Sequence, residues 1–368
     1  MTSPPTAAVA ERPQPNQPTS PRPTPRSAHR WAHWAVPLAV LGLVLGGVAA
    51  NPGLRQLLVA AARVIDPKAV LAVLPVQLVA ILVCTAAQQA LKVGISFRAS
   101  FLARLTRDAG HNLLIFPPGL GEMIGARMVV LCGGRARSAL ALRVLDIAAE
   151  VIAEIPYMAL AGFVLWRWWA HGGRAPAHGG AAATDSLPTD SLGRWGMVGL
   201  VLLAGLVAAW LGWRLWRASD HHLRWRATRT GRRLAAEWHL MRRELVRQRA
   251  GLPLAIGLHV IGWGLSGVQV WLAAQIFGLG LSLYQGLAIE SAATSARVIL
   301  FFVPGGLVMQ EAGAVLAGAA LGVAAAPALA LSLVLRLRDV AFGAALLIWP
   351  AMEWRARRAQ GSGAPGAG

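Results

Sequence analysis

The sequence predicts an all-α, polytopic integral membrane protein built on an inverted repeat. Three observations carry that prediction. First, 56% of the 368 residues are hydrophobic and only 14% are charged, and the mean hydropathy is +0.52. That balance belongs to a chain solvated by lipid rather than to a water-soluble domain. Second, the net charge of +19 comes almost wholly from arginine in the segments between apolar runs. This is the pattern of cytoplasmic loops lying against anionic headgroups. Third, two apolar runs are each broken by proline and glycine and then carry a carboxylate. They are Phe116-Pro117-Pro118-Gly119-Leu120-Gly121-Glu122 and Phe302-Val303-Pro304-Gly305-Gly306-Leu307-Val308-Met309-Gln310-Glu311. Freed backbone groups and a charge persist at membrane depth only where protein or a wet cavity covers them.

Taken in order, residues 1–34 form a basic tail rich in Pro, Thr and Ala that cannot bury a core and reads as disordered. The transmembrane domain is expected over 35–354, and a flexible tail over 355–368. The first span is about Ala35 to Ala50, with Trp31 and Trp34 as an interfacial belt. The second is about Ala69 to Ala90. The charges Lys92, Arg98, Arg104 and Arg107 then place the following loop in the cytoplasm, with Phe97 to Arg107 as an amphipathic segment in the interface. A first broken hairpin is expected over about Ala109 to Cys132. Span three is about Ser138 to Leu165, ending in Trp166, Trp168 and Trp169, and span four is about Trp195 to Trp213. The strongly basic stretch within 217–251 has Leu234, Trp238, Met241 and Leu245 at helical spacing. It reads either as a helix on the cytoplasmic membrane surface or as a solvated linker helix. Span five is about Leu252 to Phe277, the second broken hairpin about Leu283 to Gly322, and span six about Ala328 to Ala351.

The charges agree on both termini inside a bacterial inner membrane. They put the mouths of the two hairpins on opposite sides, as in an inverted-topology transporter, whose site lies where the units meet. The expected total is about six full spans plus two broken or re-entrant hairpins. Because Tyr284 to Phe302 is ~20 residues, long enough to cross fully, eight spans plus one hairpin is the alternative count. The Ala-Leu stretches bearing Arg143-Val-Leu-Asp146 and Arg336-Leu-Arg-Asp339 match each other as part of the repeat.

Ionisable groups inside apolar runs are the informative residues, since each costs roughly 2.5–3.5 kcal/mol at a bilayer centre unless partnered. Asp146, Glu150 and Glu154 recur every four residues and line one helix face, with Arg143 in reach of Asp146. That stripe is either a polar groove for headgroups or protons, or an ion-pair network that locks the bundle. In the second half Glu290 is a further intramembrane carboxylate, while Arg336, Arg338 and Asp339 lie close together and read chiefly as a local ion-pair cluster. The substrate-binding candidates are Glu122, Glu311, Gln310, Arg127, Arg143, Asp146, Glu150 and Arg297. Pro117, Pro118, Gly119, Pro304, Gly305 and Gly306 shape the helix breaks, whose free amides favour anions. No nucleotide-binding P-loop, metal-binding His/Cys cluster or nucleophile elbow occurs, so no ATP motor, metal or other cofactor is expected. Cys84 and Cys132 lie in apolar runs and imply neither a disulfide nor a metal site. No folded basic domain exists to present the positive charge to nucleic acid.

The second break, Pro304-Gly305-Gly306 with Gln310-Glu311, and the helix Ala328 to Asp339 resemble the membrane region of lysylphosphatidylglycerol synthases. Pro117 to Glu122 is similar to the same family's Pro-Gly motif. Within that superfamily the chain looks most like the HpnL-type membrane proteins associated with hopanoid biosynthesis, over about Ala69 to Trp354. The resemblance implies lipid handling, with membrane lipids as partners: anionic phospholipid, and hopanoid with its biosynthesis proteins. Its membrane region implies a flippase. The sequence stops soon after span six, so lysine transfer to phosphatidylglycerol is not expected. Where relatives carry a second glycine directly after Gln-Glu, this chain has Ala312-Gly313. Three readings stay open: a lipid transporter, a headgroup-modifying enzyme using the Asp146/Glu150/Glu154 stripe as acid-base groups, and a scaffold of lipid biosynthesis. Oligomeric state is not legible.

Overall fold

A computed structural model describes residues 49–91, 93–113, 119–170, 249–299 and 306–361, with single positions in 42–47 and at 243 and 246. The N-terminal tail, nearly all of the first span, residues 171–242, Pro117, Pro118, Pro304 and Gly305 lie outside the described residues. So do the segment joining spans three and four, span four itself and almost all of the basic segment. Among the described residues there is no strand.

The chain runs through α1 (Pro52–Val64), α2 (Pro67–Ala90), α3 (Phe97–Leu113), α4 (Leu120–Leu131) and α5 (Ala136–Ala170). It resumes at α6 (Leu252–Ile276) and continues through α7 (Leu283–Ile299), α8 (Gly306–Ala320), α9 (Ala325–Gly343) and α10 (Ile348–Gly361). The starts are capped as chemistry requires. Asn51 accepts from the Leu54 amide at 3.1 Å and Asp66 from the Lys68 amide at 2.8 Å, each followed by proline at the first turn. α2, α5 and α6 are long and apolar enough to cross a bilayer. Their outward faces are apolar too: Leu71 is 66% exposed, Ile155 60% and Leu254 62%. Arginines and carboxylates sit inside instead. The protein is an all-α membrane protein.

α2 and α6 pack along each other and run antiparallel. Gly251 meets the Ala90 carbonyl, Gly262 meets Cys84, and Gln269 Nε2 donates to Gln77 Oε1 at 3.1 Å, so one helix descends as the other rises. Each is followed by a hairpin, α3/α4 and α7/α8, and then by α5 or α9. After each hairpin comes the same turn. Cys132, Gly133 and Gly134 amides bond Met128, Val130 and Val129 carbonyls at 3.0, 3.0 and 2.9 Å; Leu321, Gly322 and Val323 bond Ala317, Ala319 and Gly318 at 3.0, 3.2 and 2.8 Å. Gly133 (φ 89°) and Gly322 (φ 81°) hold the left-handed position that closes the helix end. Two similar units built on antiparallel lead helices form an inverted repeat.

The turn also fixes the repeat's register. Glu122 corresponds to Glu311, as the sequence suggests, but Glu150 corresponds to Asp339. The two Arg-x-x-Asp motifs are therefore one helical turn out of step rather than equivalent.

Other expectations shift. Phe97 to Arg107 does not lie in the interface. It is the first arm of the first hairpin, with Ala99, Ser100, Ala103, Arg104, Thr106 and Arg107 buried, because its small residues let α4 approach closely. Span six is not one helix. A 3-10 turn at Ala344–Leu347 separates α9 from α10, and α10 continues to Gly361 instead of fraying at the expected tail.

The core is unusually alanine-rich, as membrane packing demands when no hydrophobic force joins the helices and only close approach does. Ala69, Ala273, Ala292, Ala293, Ala314, Ala317 and Ala328 all sit in the main cluster. At Gly121 a Cβ would lie 2.7 Å from the Arg107 carbonyl oxygen and 2.8 Å from the His111 amide, whereas at Gly264 it would meet nothing within 4 Å. Gly121→Ala should therefore cost about 1–3 kcal/mol by overpacking and lower the unfolding midpoint in detergent. Gly264→Ala should leave the midpoint unchanged or slightly raised.

Candidate functional site

The helix seams enclose a polar cavity of about 130 Å³ at the meeting of the two units. The lead helices contribute Gln77, Cys84, His259, Trp263 and Ser266. The first unit adds Arg104, Arg107, Asp108 and His111 from α3 and Glu150 from α5; the second adds Glu290 and Arg297 from α7, Gln310 from α8 and Arg338 from α9.

Beside the cavity, Asp146 is fully buried and acts as a hub. Gln88 Nε2 donates to it at 2.8 Å, His259 Nε2 lies at 3.0 Å, and the guanidinium groups of Arg143 and Arg104 approach to 3.4 and 3.6 Å. The next carboxylate along the stripe, Glu150, takes Arg107 Nη2 at 2.7 Å and Arg104 Nη2 at 3.1 Å. Arg104 also pairs with Asp108 at 2.9 Å, one turn along its own helix. The stripe is thus an ion-pair network at Asp146 and Glu150, and Glu150 also faces the cavity. Glu154 lies farther along, 6% exposed, with Oε1 unpartnered.

The two break glutamates sit one layer behind the cavity. Glu122, in the first turn of α4 behind the left-handed Gly119 (φ 82°), accepts from Arg107 Nε at 2.5 Å and lies 3.9 Å from Arg143. Glu311 accepts from Arg336 Nε at 2.8 Å. Gln310 lines the cavity, 2% exposed. Arg297 lines it as well. Arg143 is 3% exposed behind it. Arg127 is not brought to the cavity: it points outward, its side chain 48% exposed, and forks onto Glu353 of α10 at 2.6 and 3.0 Å.

Sequence reasoning missed Arg104, Arg107, Asp108, His111 and His259 as cavity residues, and treated Arg338 chiefly as a local ion pair. Arg338 does pair with Asp339 at 2.7 Å, yet it also donates to Gln269 Oε1 at 2.6 Å and lines the cavity. One signal could have found the α3 arginines. They share a helix face with Ala99, Ser100, Ala103 and Gly110, and small residues mark a face that packs. Among the described residues no His/Cys/Asp/Glu group could hold a metal ion.

The family model described as the lysylphosphatidylglycerol synthase TM region matches residues 32–346. The chain belongs to that family. It is therefore a membrane protein of lipid-related processes, and the match spans the hairpins, the lead helices and every cavity residue named above. No curated protein and no solved structure matches the chain.

Removing one partner of a buried ion pair strands the others, at about 3–5 kcal/mol. Asp146→Asn should therefore sharply lower stability against denaturant, since Arg104 and Arg143 lose a shared counter-charge. Arg127→Gln, at a solvent-exposed ion pair, should be near neutral in the same measurement.

Proposed function

We propose that the protein carries the headgroup of a polar lipid between leaflets through this cavity, as a flippase-like transporter without its own nucleotide motor. The observation that carries the reading is the cavity's place and polarity. It opens where two inverted units meet, in a bundle whose outer faces are apolar, and both units line it. Family membership supports a lipid as cargo. The resemblance to HpnL-type proteins favours polar hopanoids beside anionic phospholipid as the lipids to test. The arginine distribution supports a bacterial inner membrane location with both termini in the cytoplasm.

In this reading Glu150, Gln310 and Arg297 face the headgroup. Asp146 and Arg143 hold the first unit's wall. Glu122 and Glu311 position Arg107 and Arg336 rather than touching lipid, and Arg127 braces the outer surface.

The experiment is leaflet exchange in proteoliposomes, with labelled phosphatidylglycerol and a labelled polar hopanoid. Ser266 lines the cavity without an ion pair, so Ser266→Trp should plug it while leaving the network intact. Exchange should fall to the rate of protein-free vesicles, with the unfolding midpoint retained. Exchange that persists in a folded Ser266→Trp variant would mean the headgroup does not use this cavity.

A further inference from the structure

The carboxylates of the bundle interior fall into two kinds. Asp108, Glu122, Asp146, Glu150, Glu311 and Asp339 each have a guanidinium within 3.4 Å. Glu154 and Glu290 have no cation within 4.0 Å among the described residues. Glu154 Oε1 is buried without a donor, and Glu290 accepts from Thr294 Oγ1 alone, at 3.2 Å.

The two belong to different units, on α5 and α7, and an aromatic pair joins them. Tyr157 shares the helix face of Glu154, three residues on, and its ring stacks on Trp263 of α6 with centroids 5.9 Å apart. Gly286 meets Trp271 and Leu287 meets Gly267. α7 therefore runs antiparallel to α6, and Glu290 comes level with Trp263, one turn beyond that contact on both helices. The Tyr157 hydroxyl is buried without a partner and lies within electrostatic reach of Glu290. Glu290 and Trp263 line the cavity, and Glu154 and Tyr157 stand behind that lining.

The charges facing the pair leave it one proton short. Glu154 feels Arg297 of α7 and Glu150 of its own helix. Glu290 feels Arg338 and Asp339 of α9 and Arg297 of its own helix. Arg338 and Asp339 pair with each other at 2.7 Å, and Glu150 is held by Arg107 and Arg104. One guanidinium, Arg297, is left for two carboxylates. A carboxylate, unlike a guanidinium, can discharge itself by binding a proton. Cargo that engages Arg297 draws away the shared cation, so loading cargo favours loading a proton, and by linkage the reverse holds.

We propose that Glu154 and Glu290 share a proton across the seam through the Tyr157 hydroxyl, and that this proton is the coupling ion for cargo moving through the cavity. It enters from cavity water at Glu290, and the Tyr157 hydroxyl accepts it as its own proton passes to Glu154. The inference rests on the transport reading and supplies its driving force.

The test has two readouts. The first is infrared spectroscopy of the detergent-purified full chain, titrated from acid to alkaline pH. The carbonyl band of protonated carboxyl groups should titrate, and Glu154→Gln and Glu290→Gln should each lower it. Neither change breaks an ion pair, so both variants should keep the wild-type unfolding midpoint. No titrating band in the wild type, or one that both variants leave unchanged, overturns the proposal. The second readout is leaflet exchange of labelled phosphatidylglycerol and polar hopanoid under an imposed pH gradient. The gradient should enrich a lipid in one leaflet beyond the level in protein-free vesicles. That enrichment should vanish with a protonophore and in either glutamine variant, and Tyr157→Phe should slow its onset. Exchange that ignores the gradient overturns the coupling and leaves transport standing. A titrating pair without exchange of either lipid sinks transport and leaves the proton site standing.

Discussion

A guanidinium cannot shed its proton to escape a low-dielectric interior, and the bundle is arranged around that constraint. Arg104, Arg107, Arg143 and Arg338 are each at least nine-tenths buried. Each therefore needs carboxylates brought to it, and most come from other helices. Glu122 arrives on α4, and Asp146 and Glu150 arrive on α5. Such pairs contribute little net stability, because desolvation offsets the attraction. What they fix is register. If α3 slid one turn past α5, Arg104 and Arg107 would lose Glu150 together, and two charges would lie uncompensated in an apolar slab.

The alanine and glycine seams make this arrangement reachable. In lipid, helices gain nothing from burying leucine against leucine, so they associate through close backbone approach. Gly121 and Gly125 bring α4 onto α3, Gly313 brings α8 onto α7, and Gly262 brings α6 onto α2 beside Cys84. Arginine side chains can then reach carboxylates two helices away without stretching. The cavity remains because its walls end in charged and amide groups that repel further collapse.

The class, the two broken hairpins, the lead helices and the inverted pairing were all legible in the sequence, because apolar length and proline-glycine breaks are local signals. Gln310, Arg297 and Glu150 were also legible as intramembrane polar groups. The α3 arginines were not. Positive charge beside an apolar run reads as a cytoplasmic loop on the statistics of topology, and only the small residues sharing their face argued otherwise. Arg127 misled in the opposite sense. It sits in an apolar run, but the partner that holds it outside, Glu353, lies far along the chain. The one-turn slip between the two Arg-x-x-Asp motifs has the same origin: composition repeats easily in an Ala-Leu helix, whereas the hydrogen-bonded turn before it does not.

The distribution of the ion pairs says how such a bundle can move. Among the described residues, the buried arginine–carboxylate pairs close within one unit. Arg104, Arg107 and Arg143 pair with residues of α3, α4 and α5, while Arg336 and Arg338 pair with residues of α8 and α9. The side-chain links that cross between units are softer: an amide pair, Gln269 to Gln77, the contact of His259 with Asp146, and the exposed pair of Arg127 with Glu353 on α10. Each unit is thus internally cross-linked by charge, and the seam between them relies on small residues, hydrogen bonds and one exposed ion pair, all of which cost little to exchange. Rocking one unit against the other would keep every buried arginine pair intact, whereas unfolding either hairpin would strand several. A cavity on that seam is therefore the part of the molecule free to change its shape.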